Sequence, residues 1–589
     1  MPVLSELSPD TSLLTPDFEG YKLSLDKVPI FKHEISGGGV NHLEPSSDQF
    51  SFLFVRLFGL HNHLHGDPWT KGHVYFFNEN GEIVKNVWDT DKRSFESSVV
   101  ATSSFNKPVS GDLNPTICLD TPKHAAVMDG ASGGLVRIFT TGDRNSNESW
   151  QEVASFKIDV VGVLKGLVSN QESNEIHVLI ESVVHSESIP ELKYQDEDQP
   201  SESATLIHWL TVNPTLGKGE DCIVSKRKIC VHGVVEYVAL EEGGQAVYVA
   251  SHKEAFFTYD SNRPCTPPIE RALREPINYT WDQTENEVFV TFSIHSAIDK
   301  KCLDVEIDEE ERKLKITIKG PEHSKVVIDG VLAQGITKDF EVSVVDGRAE
   351  IRLNKKEADQ TWEEFIADDP HGAKAPHPEE ITKAAAGLEK FTSEDKMDDE
   401  NINQGFNAGQ LEECDSEAVS ARLVRLPLTS HSPSHTVLLS GHQWIGACRP
   451  PPPGLPALLL RHDVDALVWQ PNEPKDSTWT LSHLSTFPGF GYVQASKTSR
   501  KWVVCPSALG WVAVVDSQQH IYLYHQPQPL QTQLVNRKSG QKVKTVARQQ
   551  VVSLPDNTAR ILGVYPEDDK LFVLHKNSIL VLSMNQNQD

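Results

Sequence analysis

No hydrophobic run in these 589 residues is long enough to cross a bilayer, and the amino terminus has neither a basic lead nor an apolar core. Both absences lead to the expectation of a soluble intracellular chain, with acceptor patterns at Asn147 and Asn278 there by chance. Cysteine is sparse and scattered: eight residues, at Cys118, Cys222, Cys230, Cys265, Cys302, Cys414, Cys448 and Cys505, with no Cys-x-x-Cys pair. In a chain of this size that spacing reads as reduced cytosolic thiols and not as a disulfide framework. Basic runs are missing too. The 55 Lys and Arg are outnumbered by 83 Asp and Glu, for a net charge of −28. Such a field repels phosphate backbones, which argues against direct nucleic-acid binding and against anionic membranes. The expected compartment is the cytoplasm, with the nucleus as a second one that no dense basic signal demands.

What is present is strand signal. It is clearest in a block near the middle, residues 279–365, where apolar and polar residues alternate with period two. Val288, Val290 and Phe292 share one parity, as do Val305 and Ile307, then Leu314, Ile316 and Ile318. Val342 and Val344, then Ala349, Ile351 and Leu353, continue the pattern. Alternation over such runs predicts half-buried antiparallel strands. Turn signals stand between them at residues 308–311, Gly320-Pro321, Asp329-Gly330 and Asp346-Gly347. About seven short strands and no helix before the end describe a small β-sandwich.

Particular residues mark this block: Tyr279, Trp281 and Gln283 as Tyr-x-Trp-x-Gln, then a Leu-x-Ile-x-Ile-Lys-Gly strand ending at Gly320. Ile-Asp-Gly-Val-Leu around Gly330, the turn at Gly347 and the tail residue Trp362 follow in order. Together they resemble the CS domain of the NudC family, which is related to the small acidic co-chaperones of the ninety-kilodalton heat-shock protein. One departure is visible. Many NudC-type domains carry a tryptophan just before the Asp-Gly hairpin, where this chain has Phe340-Glu-Val-Ser-Val. The resemblance implies a non-catalytic protein-binding role, in which the sandwich presents or stabilises client proteins, often β-propellers, together with that heat-shock chaperone.

Both flanks of the block are strand-rich and nearly free of helical pattern. Strand–turn–strand units recur, for example residues 73–87 around Asn80-Gly81, 125–139 around Asp129-Gly130, and 235–250 around Gly243-Gly244. On the far side come residues 466–469, 491–496, 502–505, 511–524 and 561–582. The spacing fits the four-stranded blades of a propeller, about seven of them at roughly 40–45 residues each. The expected fold is therefore all-β: one β-propeller built from both flanks, with the CS-type sandwich inserted. Two independent β domains are the competing reading. The expected divisions are 1–273 and 411–589 for the propeller, 274–368 for the CS domain and 369–410 for an acidic flexible linker. Residues 416–456 read unlike the rest.

Candidate chemistry is thin. Gly130-Ala-Ser132-Gly-Gly134 matches a nucleophile elbow, but a strand follows where a helix is required, so a hairpin turn explains the glycines. His61, His63 and His65 would share a face if the apolar run 52–60 is a strand that continues, but no further ligand is positioned by sequence. No metal and no cofactor is expected. Gly37-Gly-Gly39 and Gly217-Lys-Gly219 lack the helix of a phosphate cradle. Asp463 and Asp465 read as turn residues, and Arg449 precedes a short proline run. Nothing amounts to a catalytic constellation, so the chain is not expected to be an enzyme.

Candidate protein-binding residues are those of polar parity on the best-matched strands: Asp304, Glu306, Lys313, Lys315 and Lys319, together with Trp281 should its ring reach the surface. Tyr279, Trp281 and Trp362 are expected mainly to pack. Thr392 and Ser393 lie in the acidic linker and resemble acidic-directed phosphorylation sites. The alternative function is a scaffold subunit of a cytosolic assembly, with the sandwich as a spacer.

Overall fold

The computed structural model describes residues 3–584 apart from 17, 47–50, 103–108, 132, 190–202, 266–276, 278, 295–297, 299, 321–323, 346–347, 359–360, 367–371, 375–420, 451–453, 473, 475–478, 498, 518, 536–541 and 556–559. Two compact units result. One joins Met1–His185, Ser203–Pro264 and Glu413–Asp589; the other holds Ser186–Glu202 and Cys265–Glu412.

The period-two alternation in the second unit becomes two sheets facing one core. Tyr279–Gln283, Glu287–Ser293, Ile336–Val345, Arg348–Lys355 and Gly372–Lys374 form a five-stranded sheet, and Leu303–Asp308, Lys313–Lys319 and Ser324–Val331 a three-stranded one. Leu314, Ile316 and Ile318 point inward with no exposed surface and meet Val288, Val290, Ile351 and Leu353. Burying each of these side chains contributes roughly 1.5–3 kcal/mol, so the alternation alone supplies much of the driving force for the sandwich. Two details differ from the sequence reading. Asp329-Gly330 does not turn; it lies within the strand Ser324–Val331. Gly330 is needed there for space, because a Cβ would come within 2.6 Å of Ile366. Gly372–Lys374, from the stretch read as the start of the linker, adds a parallel edge strand to Tyr279–Gln283. Asp346, Gly347, Thr392 and Ser393 lie outside the described residues.

The first unit is a β-propeller. Among the described residues it holds seven sheets of four or five strands. Three come from one contiguous piece of chain, and four gather strands from separate pieces, among them Ala255–Asp260 at the edge of the third blade and Lys22–Leu23 at the edge of the sixth. The first blade runs from His65–Gly66 to Ser94–Thr102, the second from Thr116–Cys118 to Gln151–Lys157, and the third from Gly162–Asn170 to Ile223–Val231. Blade five spans His442–Cys448 to Leu481–Phe487, and blade six Arg500–Val504 to Arg548–Ser553. Blade seven takes three strands from Gly563–Glu567, Lys570–Leu574 and Ser578–Ser583, and its fourth, Ile30–Glu34, from the amino-terminal region.

Blade four is composite. Val235–Leu240 and Ala246–Ser251 precede the sandwich, whereas Arg422–Pro427 and His435–Leu438 follow it. Residues 416–456, which read unlike their surroundings, thus supply two strands of this blade and open the next. Apolar clusters between blades close the ring. Val74 and Phe76 of blade one pack with Phe572 and Val581 of blade seven. Further apolar clusters join blades one and two, two and three, four and five, five and six, and six and seven. Strand Gly162–Asn170 of blade three lies beside Val235–Leu240 of blade four. Closing a ring this way leaves no long exposed sheet edge.

Two segments expected as strands are helices. Residues 52–60 contain helix α1 (Phe52–Gly59), which Ser51 caps by accepting from the Phe54 amide. Residues 491–496 fall in helix α2 (Phe490–Ala495), begun by Gly489 in the left-handed conformation. Runs this short, with Arg56 as the one charge in the first and Gln494 the one polar residue inside the second helix, have too little period to separate strand from helix.

Candidate functional site

The outer face of the three-stranded sheet in the sandwich gathers the residues singled out by parity. Antiparallel register sets Glu306 opposite Lys315, and their charged ends lie 3.6 Å apart. Lys319 reaches Asp304 diagonally at 2.8 Å, and Lys313 reaches Asp329 at 3.0 Å. The hydrogen bond and charge of Asp329 hold the Lys313 ammonium above its ordinary value. The five candidates therefore stand together, in a ladder of three cross-strand pairs with Asp329 as the sixth member. Sequence reasoning missed Asp329 because its Asp-Gly pair was taken for a turn. All six side chains are at least one-third exposed, so these pairs add little to stability and remain open to exchange with a partner's charges.

Trp281 is not on that face. It is 4 % exposed, stacked on Phe365 at 5.8 Å between ring centroids, with the Lys374 ammonium 5.4 Å from its ring. Tyr279 meets the same Phe365 ring edge-on, and Trp362 stacks on it from another side. Gln283 explains why a glutamine marks this fold. Its side-chain amide donates to the Trp362 carbonyl at 2.7 Å, while its carbonyl oxygen accepts from the Trp362 amide at 2.8 Å and from Lys355 Nζ at 2.9 Å. One side chain thus ties the tail of the domain to its first strand. Gly320 ends the strand Lys313–Lys319 in a half-buried position.

In the propeller, a cavity of about 480 Å³ is lined by strands of several blades and by α1. Its cations are matched one to one. Arg56 pairs with Glu236 at 2.5 Å, Lys165 with Glu181 at 2.9 Å, and Arg449 with Asp120, whose charge raises the guanidinium further. His61, His63 and His65 do not share a strand face. They follow α1 through a loop into the short strand His65–Gly66, with a fourth histidine, His42, donating or accepting at 3.1 Å from His63. Burial holds His61, His63 and His42 below the ordinary imidazole range and His65 down to about 4. Among the described residues, no three His, Cys, Asp or Glu side chains are placed to hold a metal ion. Asp463 sits in a turn with φ of 51°, and Asp465 accepts from the Gly489 amide at 2.6 Å, both in local structural roles. The Asp129-Gly130 to Gly134 stretch joins two antiparallel strands of blade two; Ser132 lies outside the described residues.

Comparison with known proteins places this geometry. The family model for the CS domain matches residues 277–355, within the sandwich. Among solved structures, the nuclear movement protein from E. cuniculi is 21% identical and covers 15% of this chain and 99% of its own, with a TM-score of 0.13. The β-propeller domain of Cps50 (Swd1) from Myceliophteria thermophila is 9% identical, covers 89% of this chain and 96% of its own, and has a TM-score of 0.29. NudC domain-containing protein 1 of Xenopus laevis is 30% identical over 97% of this chain and 97% of its own length. With that identity along nearly all of both chains, and a CS domain where the sandwich lies, the chain belongs to the NudC domain-containing protein 1 family.

Proposed function

We propose that this chain is a non-catalytic adaptor of the co-chaperone type, acting mainly in the cytoplasm. Its CS sandwich engages the ninety-kilodalton heat-shock chaperone or client proteins, β-propellers among them, and its propeller selects partners. The observation that carries the proposal is the exposed ladder formed by Asp304, Glu306, Lys313, Lys315, Lys319 and Asp329 on a preformed sheet. A rigid strand face offers its charges to a partner without an ordering cost, and exchanging exposed pairs for interfacial ones sets register and specificity. Trp281 and Phe365 lie beneath, and their part is to hold the sandwich rigid.

Calorimetric titration of the purified chaperone into the full chain tests this. Lys313→Gln, Lys315→Gln and Lys319→Gln together are expected to weaken binding at least about tenfold while the melting temperature shifts little, because exposed ion pairs contribute little to stability. Unchanged affinity would remove the ladder from the contact. No binding by either protein would favour the scaffold reading, in which the sandwich is a spacer.

A further inference from the structure

One surface of the propeller departs from the acidic character of the chain. Helix α1 buries Leu53, Phe54 and Phe58 against Leu113, Val163 and Val183. It turns Phe52, Val55 and the following Leu60 outward, 72 %, 48 % and 45 % exposed. At that end of the helix, Trp502 Nε1 donates to the Leu60 carbonyl at 3.2 Å, and Lys501 Nζ lies 4.1 Å from the centroid of the Trp502 ring. Arg500 lies within the electrostatic reach of Glu236, whose carboxylate is already bound by Arg56 of α1 at 2.5 Å. Arg560, 54 % exposed at its side chain, reaches Glu44 at 3.7 Å, and Glu44 is itself 77 % exposed.

Among the described residues four cations, Arg56, Arg500, Lys501 and Arg560, therefore meet two carboxylates, Glu236 and Glu44, on a molecule whose net charge is −28. Lys501 is the least compensated. Burial pulls its ammonium down to about 8, Arg560 adds to the effect, and the imidazoles of His42, His61 and His63 stand nearby. A cation in that position gains from an incoming carboxylate.

We propose that this face of the propeller docks an acidic peptide segment that carries a large apolar side chain. Its carboxylates meet Arg500, Lys501 and Arg560, and its apolar side chain lies across Phe52, Val55 and Leu60. Charge complementarity selects the carboxylates. The apolar side chains select a peptide over a polyphosphate, which has nothing to lay on them, and a long polyanion would also meet the repulsive field of the rest of the molecule. This docking surface lies on the propeller and stands independently of the part assigned to the CS sandwich.

The test is fluorescence anisotropy with the full chain and a fluorescein-labelled twelve-residue peptide in which six Asp and Glu flank a Leu-Phe pair. Saturable binding is expected, weakening with salt. It should fall at least about tenfold when Leu-Phe becomes Ser-Ser, when the acids become amides, or when the protein carries Phe52→Ser or Arg560→Glu. Both substituted positions are exposed, so the melting temperature should hold and certify the fold. Absence of saturable binding, equal binding by the variants, or tighter binding of an oligothymidine or of phosphatidylserine vesicles than of the peptide would overturn the proposal.

Discussion

Gln283 shows how much a single polar side chain can organise in a small sandwich. Both ends of its amide are used, and one of its partners, Lys355, is buried to within 8 % exposure with Nζ also donating to the Thr284 carbonyl at 2.8 Å. Replacing it with leucine leaves a buried ammonium and both main-chain groups of Trp362 short of a partner. Since each unmet buried group costs about 1–3 kcal/mol, Gln283→Leu is expected to destabilise the sandwich by about 2–4 kcal/mol in urea unfolding followed by tryptophan fluorescence. Phe365 and the rings around it make the complementary apolar contribution. The landmark positions Tyr279, Trp281 and Trp362 could be seen in the sequence, but the hub they share, Phe365, could not, because nothing in its local pattern sets it apart from any other tail aromatic.

At the scale of elements, legibility followed periodicity. Strands such as Lys313–Lys319 were plain because only one parity is apolar, and five of the six charges on the other parity were plain with them, Asp329 being the exception. Helices α1 and α2 were not, since Phe-Leu-Phe-Val-Arg-Leu-Phe carries apolar residues on every side and its one decisive cue is the Ser51 cap. The make-up of blade four was hidden for another reason. Its two halves are separated by the whole sandwich, and strand pairing across such a gap leaves no local trace. What joins them is now visible: Ala246–Ser251 pairs with Arg422–Pro427, and Arg425 grips Glu241 through Nε at 2.9 Å and a terminal nitrogen at 2.5 Å. Tyr248 donates to the same carboxylate. The pair is mostly buried, so Arg425→Ala is expected to cost about 3–5 kcal/mol, read as a lowered urea midpoint of the propeller transition. A surface control, Arg352→Ala, should leave that midpoint in place.

At the scale of the whole molecule, the two units differ in what their described residues bury. The propeller holds neutral histidines within its sheets: burial lowers His177 to about 4, His208 to about 3 and His442 to about 4. A histidine whose folded value is depressed takes up its proton more readily in the unfolded chain. Stability is therefore fully present above about pH 6.5 and is lost as pH falls from there towards 4, at up to about 1.4 kcal/mol per pH unit for each group. The described core of the sandwich has no histidine. Calorimetric scans at pH 7.5 and 5 should accordingly show the propeller transition moving down in temperature much further than the sandwich transition. Equal shifts would contradict this assignment of the acid-sensitive groups.

The division of labour between the units is the central claim, and one titration addresses it most directly. The ninety-kilodalton chaperone is titrated into the full chain and into a chain whose residues 265–412 are replaced by a Gly/Ser linker, with melting curves confirming that the ring still folds. The account predicts binding to the first and none to the second; equal binding to both would contradict it.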